Sequence, residues 1–346
     1  MTKKSYLHDI LDQPVFLRLA LKNYPIHEIG LLLTRLREGE FRKIIMTGHG
    51  SSYNSLYPAF LHLSTQSVPV AIWQTAELLH YGINQIDSET FLCANSQSGK
   101  SAEVKNLIGR ITNNRPACLL SLTNDLHSVL GKNSDVTIDL QAGEEHGVAS
   151  KTYINSLSLS SLLSVQLCGE NFADALDDMQ SACDAMEEYL TSWQARIVEI
   201  DDIIGKIQNT VIIGRGPSMA TALNGALNQK EAAWLFTEGM NAAEFRHGPM
   251  ELADTNMTLI IIEGDHRTSK LNSVLAGEVI QYGCKVIWIG NNPPLTVPSI
   301  NIPEVAEIAK PLAEILPLQL IACILANRQK IEAGKFRHIG KVVLKE

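Results

Sequence analysis

The stretch Lys43-Ile-Ile-Met-Thr-Gly48-His-Gly-Ser-Ser52 is a strand-length apolar run that breaks into small residues. Val211-Ile-Ile-Gly214-Arg-Gly-Pro-Ser218 repeats the same sequence of events. Working outward, Phe91-Leu-Cys-Ala is echoed by Leu259-Ile-Ile-Ile, and Cys118-Leu-Leu-Ser by Val286-Ile-Trp-Ile, at an offset of about 168 residues. A recurring offset of that size is the signature of a duplicated unit. Further apolar runs lie at Val68–Trp73 and Val136–Leu140, and amphipathic stretches such as Ser101–Thr112 separate the runs. Short apolar runs alternating with helical stretches predict an α/β fold: a parallel sheet covered by helices on both faces, built twice.

The flanking segments fit this reading. Leu17, Ala20 and Leu21, then Ile29, Leu32, Leu33 and Leu36, recur at helical spacing and predict a helical first 40 residues. The Asp-, Glu-, Ala- and Met-rich segment from Asn171 to Arg196 predicts a connecting helix. With 346 residues the chain has room for two domains of ordinary size.

Composition narrows the function. The net charge of −8 and the lack of a long basic run argue against a nucleic-acid partner. Asp9, Asp12 and Arg18 interrupt the N-terminal region, which therefore does not read as a signal peptide. The apolar segments look strand-sized, such as Thr258–Glu263, so no membrane span is expected. Cys93, Cys118, Cys168, Cys183, Cys284 and Cys323 are scattered without CxxC spacing, which suits buried free thiols in a cytoplasmic protein better than disulfides or a metal site. No cofactor is expected.

Three motifs carry chemistry. Ser96-Gln-Ser-Gly-Lys-Ser101 follows an apolar run and opens a helix, where small hydroxyls and unpaired N–H groups can hold an anion. Gly50-Ser-Ser52 repeats that chemistry one unit earlier. Neither is a GxxxxGK[ST] loop, so a nucleoside triphosphate is not implied. Serine capping would explain one such turn; two in successive strand–helix units favour a ligand. Next, Lys230-Glu231 sits on an apparent helix and Glu244-Phe-Arg-His247-Gly-Pro-Met follows it, offering a carboxylate base and an imidazole at a chain turn. A solvated surface pair is the plain alternative for Lys230-Glu231. Last, the tail Arg337-His-Ile-Gly-Lys341 has an apolar anchor in Ile339, Val342, Val343 and Leu344 that could dock and deliver Lys341 as an amine nucleophile. A frayed basic terminus is the alternative there.

Together these motifs, with Ala142-Gly-Glu-Glu-His-Gly-Val-Ala-Ser150 and Ala243-Glu-Phe-Arg-His-Gly-Pro249, resemble the sugar isomerase (SIS) family over roughly residues 30–346. The resemblance is nearest to the isomerase half of the glutamine–fructose-6-phosphate amidotransferases, which make glucosamine 6-phosphate. It implies two tandem SIS domains, at 41–170 and 201–333, after an N-terminal helical segment (1–40). A linker helix (171–200) would join them, and a tail (334–346) would enter the site. It further implies a homodimer binding a phosphosugar near the subunit interface. Ser52, Ser96, Gln97, Ser98 and Ser101 match its phosphate-binding positions, and Val148 a sugar-contacting backbone position. Glu145 matches a glutamate lining the site. Glu231 matches the base that moves a proton between C1 and C2. His247 matches the ring-opening histidine, supplied there by the neighbouring subunit. Lys341 matches the lysine that forms a Schiff base with the open-chain ketose.

The departures refine the expectation. Asn228 stands where the family has a further lysine, and Ala149-Ser-Lys-Thr152 reverses the family's Thr-Lys. Lys335-Phe-Arg replaces an Asp-Gln-Pro-Arg run. No counterpart of the family's glutamine-hydrolysing domain is found. The expected reaction is therefore C1–C2 proton transfer on a sugar 6-phosphate or amino-sugar 6-phosphate, with amine release of deaminase or deglycase type and no glutamine hydrolysis. A plain aldose–ketose isomerase is the alternative within enzymes, and a non-catalytic sugar-phosphate sensor is the alternative outside them. A sensor predicts binding without turnover, and no helix-turn-helix accompanies the domains.

Overall fold

Runs such as Ile44-Ile-Met and Leu259-Ile-Ile-Ile are apolar on both sides of a strand, so each must be covered on both faces. The computed structural model, which describes residues 5–294, 296–338, 340–343 and 345, meets this demand with two five-stranded parallel sheets. The described residues fall into two compact units. The first holds the described residues among 15–145, 149–180 and 337–345; the second holds those among 5–14, 146–148 and 181–336.

In the first unit the strands are β1 (Lys43–Gly48), β2 (Val70–Gln74), β3 (Thr90–Asn95), β4 (Cys118–Thr123) and β5 (Val136–Asp139), in the order β2-β1-β3-β4-β5. Ile44 pairs with Phe91 and Leu92 with Leu119. In the second they are β6 (Thr210–Gly214), β7 (Thr237–Asn241), β8 (Thr258–Ile262), β9 (Lys285–Ile289) and β10 (Ser299–Ile300), in the order β10-β9-β8-β6-β7. Read from the other end this is the same order, so the offset echoes are duplicate strands in duplicate places. The chain is α/β with two tandem sheets, as expected.

The helices before β1 are α1 (Tyr6–Leu11), α2 (Gln13–Lys22) and α3 (Ile26–Arg37). Those of the first sheet are α4 (Gly50–Leu63), α5 (Thr75–Glu77), α6 (Ala102–Ile111), α7 (Val129–Asn133) and α8 (Lys151–Cys168). The segment read as one connecting helix is two, α9 (Phe172–Thr191) and α10 (Trp193–Ile204). The break is at Ser192, where Arg196 turns back to donate from Nε to the Tyr189 carbonyl and to lie 3.6 Å from the Tyr189 ring centroid. The second sheet has α11 (Ser218–Ala233), α12 (Ala242–Arg246), α13 (Ser269–Gln281) and α14 (Lys310–Arg328).

One expectation fails here. The segment Glu307–Arg328 is long and apolar enough to cross a membrane, although every apolar segment had looked strand-sized. Its placement explains the composition: 83 % of its most apolar stretch is buried in the structure, and α14 packs along α11. Helix α8 is its counterpart, buried at every position from Lys151 to Leu167. Each sheet also has its own apolar cluster. Trp288, Phe245 and Leu259 centre the second, and Leu92, Leu107 and Leu119 the first.

Close packing places α11, the helix that carries Glu231. Gly239 on β7 faces the α11 backbone so closely that an added Cβ would lie 2.7 Å from Leu223 Cα and against the Ala222 carbonyl. Backbone atoms cannot step aside as a side chain can. Gly239→Ala is expected to lower stability by about 1–3 kcal/mol, read as a drop in urea midpoint at unchanged slope.

Candidate active site

A parallel sheet places all its strand ends on one edge, where helix N-termini present unpaired N–H groups. In the first unit that edge carries the two serine-rich turns. After β1 the chain enters α4 through His49, so Ser52 lies in the first turn of α4. After β3 comes Ser96–Ser101. Its shape is fixed internally: Ser96 Oγ accepts from Gly99 N–H at 3.2 Å, Ser98 Oγ accepts from Lys100 N–H at 3.2 Å, and Ser101 Oγ caps α6 by accepting from Val104 N–H. Gly99 has φ +58°, and a Cβ there would collide with Ser128, so only glycine fits. The Gln97 carbonyl accepts from Asn124 N–H across to the end of β4. The turns are also tied to each other, since Asn95 Nδ2 donates to the Ser52 carbonyl at 2.9 Å. Ser52, Ser96, Gln97, Ser98 and Ser101 are therefore gathered on one edge of one unit.

The tail comes to the same edge. The Val343 carbonyl accepts from Ala102 N–H, the first residue of α6, at 3.1 Å. Two residues earlier, Lys341 Nζ donates to the Glu145 carbonyl (2.7 Å) and carboxylate (3.0 Å). Of the apolar anchor read from the sequence, Val342 and Val343 are described; Ile339 and Leu344 lie outside the described residues.

Glu145 is almost wholly buried and densely bonded. Its carboxylate also accepts from Ser150 N–H and Thr152 N–H at 2.9 and 3.0 Å, and from Thr152 Oγ1 at 2.8 Å. The reversal at 151–152 thus has a structural reading. Thr152 serves Glu145, while Lys151 turns away to donate to the Glu144 carbonyl and lies 4.3 Å from the Phe16 ring centroid. Burial by itself would raise the Glu145 carboxyl. The Lys341 charge, then the Ser150 and Thr152 donors, outweigh it and hold the group below its ordinary range.

The second unit holds the other residues. Glu231 lies half-buried in the last turn of α11. His247 is exposed at the C-cap of α12, just before Gly248 at φ +144°. Strand β7 joins their two helices. Val148 is fully buried in this unit.

The duplicate of the serine-rich edge has different chemistry. Ser218, the echo of Ser52, donates its hydroxyl to Glu314 at 2.8 Å, and Thr221 donates to the same carboxylate at 3.2 Å. Glu263 and Asp265 are buried at the end of β8. Burial pushes the Glu314 carboxyl up to about 7; Ser218, Thr221 and Lys310 oppose this and Glu263 adds to it. Buried carboxylates thus take the place that small hydroxyls hold on the edge of the first copy, with Arg215, Arg267 and Lys310 close to them. Sequence reading missed Glu314, because a carboxylate inside a helix buried all round has no amphipathic signal. It also missed Asn224, one α11 turn from the Asn228 noted above. Both are fully buried, and among the described residues their amide atoms have no hydrogen-bond partner. Position 228 is where the resemblance had called for lysine.

With this geometry in place, comparison with known proteins is informative. The sequence pattern of the SIS domain family matches residues 40–166 and 203–326, one copy over each sheet. The chain belongs to the SIS domain family. Among curated relatives, the isomerizing glutamine–fructose-6-phosphate aminotransferase of Thermococcus kodakarensis is 26 % identical over 98 % of this chain. This SIS chain spans 58 % of that relative's length. Among solved structures, the C-terminal domain of glucosamine-fructose-6-phosphate aminotransferase from Francisella tularensis superposes with a TM-score of 0.83 at 18 % identity, covering 96 % of this chain and 99 % of that one. Glucosamine-6-phosphate deaminase from Thermotoga maritima gives 0.78 at 19 % identity over 99 % and 100 %. At such identities the two structures speak to the SIS fold alone.

Two predictions follow from the carboxylates. The Glu145 group ionises more readily folded than unfolded. Its pairing with Lys341 is therefore fully present above the ordinary carboxylate pKa, about 4.3, and is lost as pH falls through the folded value. Glu145→Ala removes it at every pH, with an expected loss of roughly 2–3 kcal/mol. Proteolysis after Arg337 and Lys341 should rise in the variant at pH 7 and in the wild type in acid. Glu314 has the opposite sign. Its contribution is complete below the ordinary carboxylate pKa and is lost as pH rises to about 7. Glu314→Gln should flatten that decline, gaining on the order of 2 kcal/mol at pH 8 and almost nothing at pH 4 in urea unfolding.

Proposed function

We propose that the chain is a phosphosugar isomerase that moves a proton between C1 and C2 of a sugar 6-phosphate or amino-sugar 6-phosphate and releases an amine, without hydrolysing glutamine. The observation that carries this reading is the placement of Lys341 within the first unit. A primary amine rests on a buried carboxylate, two residues from a carbonyl bonded to the N-terminus of α6. Two residues of extended chain span at most about 7 Å. An amine that can condense with a carbonyl is thus carried by the same short backbone segment that meets the helix start whose hydroxyls and N–H groups suit a phosphoryl group.

The steps follow from group chemistry. Ser52, Ser96, Gln97, Ser98 and Ser101 hold the 6-phosphate, and the Val148 backbone contacts the sugar. His247 passes a proton during ring opening. Lys341, released from Glu145 and deprotonated, adds to the C2 carbonyl of a ketose and expels water, leaving an imine. Glu231 carries the proton between C1 and C2. With an amino sugar the C2-to-C1 proton transfer makes C2 an imine, and water or Lys341 adds there and displaces the amine; with a sugar–amine adduct of deglycase type the transfer makes C1 an imine, and water adds there to release the amine and leave the aldehyde. By the same family resemblance the working assembly is a homodimer in which His247 serves the neighbouring subunit.

Borohydride added with fructose 6-phosphate should reduce the imine and leave a covalent sugar on Lys341, found by peptide mass mapping and absent from Lys341→Arg. Glu231→Gln should still give that adduct while losing deuterium exchange at C1 and C2 by about 100-fold or more. An adduct elsewhere, or unchanged exchange, would overturn these assignments. Amine release across a panel of hexose 6-phosphates, amino-sugar 6-phosphates and sugar–amine adducts then separates the deaminase or deglycase reaction from plain isomerisation.

A further inference from the structure

We propose that His62, Cys168 and Glu170 form a binding site for a transition-metal dication of the zinc class, clamping the end of α4 to the end of α8. One ligand atom from each lies within 4.8 Å of the other two. A tetrahedral zinc ion with bonds of 2.0–2.3 Å holds its ligands about 3.3–3.8 Å apart, so small rotamer adjustments close the site. A thiol, an imidazole and a carboxylate suit zinc and exclude calcium and magnesium, which take oxygen.

Both helices are built to present these groups. His62 lies in the last turn of α4, which packs against α8. Cys168 ends α8, and Gly169 at φ +72° reverses the chain, with Glu170 N–H bonded to the Val165 carbonyl. That reversal returns the Glu170 carboxylate to 3.0 Å from His62 Nε2.

The proton count on His62 points to a cation. Ser164 Oγ donates to the Ser161 carbonyl at 2.7 Å, so its only proton is committed. Its contact with His62 Nδ1 at 2.8 Å therefore makes Nδ1–H the donor. A neutral His62 then turns the bare lone pair of Nε2 toward a carboxylate. Two arrangements relieve that opposition: a second proton on the ring, or a metal ion bound by Nε2, the carboxylate and the neighbouring sulfur. The Nδ1–H bond to Ser164 is also the outer-shell contact that orients a metal-binding histidine.

The thiol fits the same account. Cys168 is half-buried; burial pushes it up to about 11, Glu170 adds to this and Gln66 opposes it. A thiol that ligates a metal does so as the thiolate, so its proton is released on binding. Sequence spacing could not disclose the site, since His62 lies 108 residues from Glu170. The site stands ten residues along α4 from Ser52, about 15 Å, which makes it a brace for the helix that begins in the anion-binding turn.

Cobalt(II) provides the probe. Titrating the purified protein with Co²⁺ alone should give tetrahedral d–d bands and a sulfur-to-cobalt charge-transfer band saturating at one equivalent. Cys168→Ser should abolish the charge-transfer band, Cys323→Ala should leave it, and His62→Gln and Ser164→Ala should weaken binding at least tenfold. In the unmutated protein, Zn²⁺ should protect Cys168 from alkylation, mapped by mass spectrometry, which keeps the test valid if a variant fails to fold. Absence of a charge-transfer band, its persistence in Cys168→Ser, or alkylation of Cys168 unaffected by Zn²⁺ would overturn the proposal; the His62–Glu170 contact is then an ordinary ion pair.

Discussion

In a parallel sheet every strand runs the same way, so all strand ends and all following helix starts share one edge. Each unit of this chain inherits one such edge with its dipoles and unpaired N–H groups, and what differs is how the side chains use it. In the first copy serines, glycine and a helix cap form the edge proposed above to hold a phosphoryl group. In the second, Ser218 and Thr221 are spent on the Glu314 carboxylate, with Glu263 and Asp265 close to the same strand ends. The two sheets share one strand order, and the side chains at their edges differ.

The fold was legible because parallel strands buried on both faces are written as unbroken apolar runs. Strands β1, β3, β4, β6, β8 and β9 were all visible in this way. Strand β7 was not, since Thr237-Glu-Gly-Met-Asn241 lies at a sheet edge and is only partly covered. Two-residue β10 offers no pattern to read. Helices α8 and α14 were obscure for a related reason: a helix buried all round has no polar stripe, so periodicity gives no signal. That is also why the apolar length of α14 was underestimated.

The candidate site was legible to the extent that it is local. Ser96–Ser101 and Gly50–Ser52 announce helix starts by residue type, and His247 before Gly-Pro announces a turn. The pairing of Lys341 with Glu145 joins residues 196 positions apart and depends on the long loop after β5, so no window of sequence contains it. The resemblance named both residues but not their bond. The His62, Cys168 and Glu170 group is likewise a product of packing, since its members meet only once α4 and α8 are stacked; Asn224 and Asn228 are neighbours on one helix, and only their burial depends on packing.

The bond from Ala102 N–H to the Val343 carbonyl has a consequence for how ligand and chain end communicate. The first donor of α6 is already engaged by the protein's own terminus, and Val104 N–H by Ser101. Were the phosphoryl group of the proposed substrate to call on these donors, it would either share them with residues 341–343 and Ser101 or take them away. Sharing makes ligand and terminus hold each other in place; taking makes them rivals. In both cases occupancy of the proposed anion site and seating of Lys341 would be linked equilibria, each reporting on the other by the same free energy.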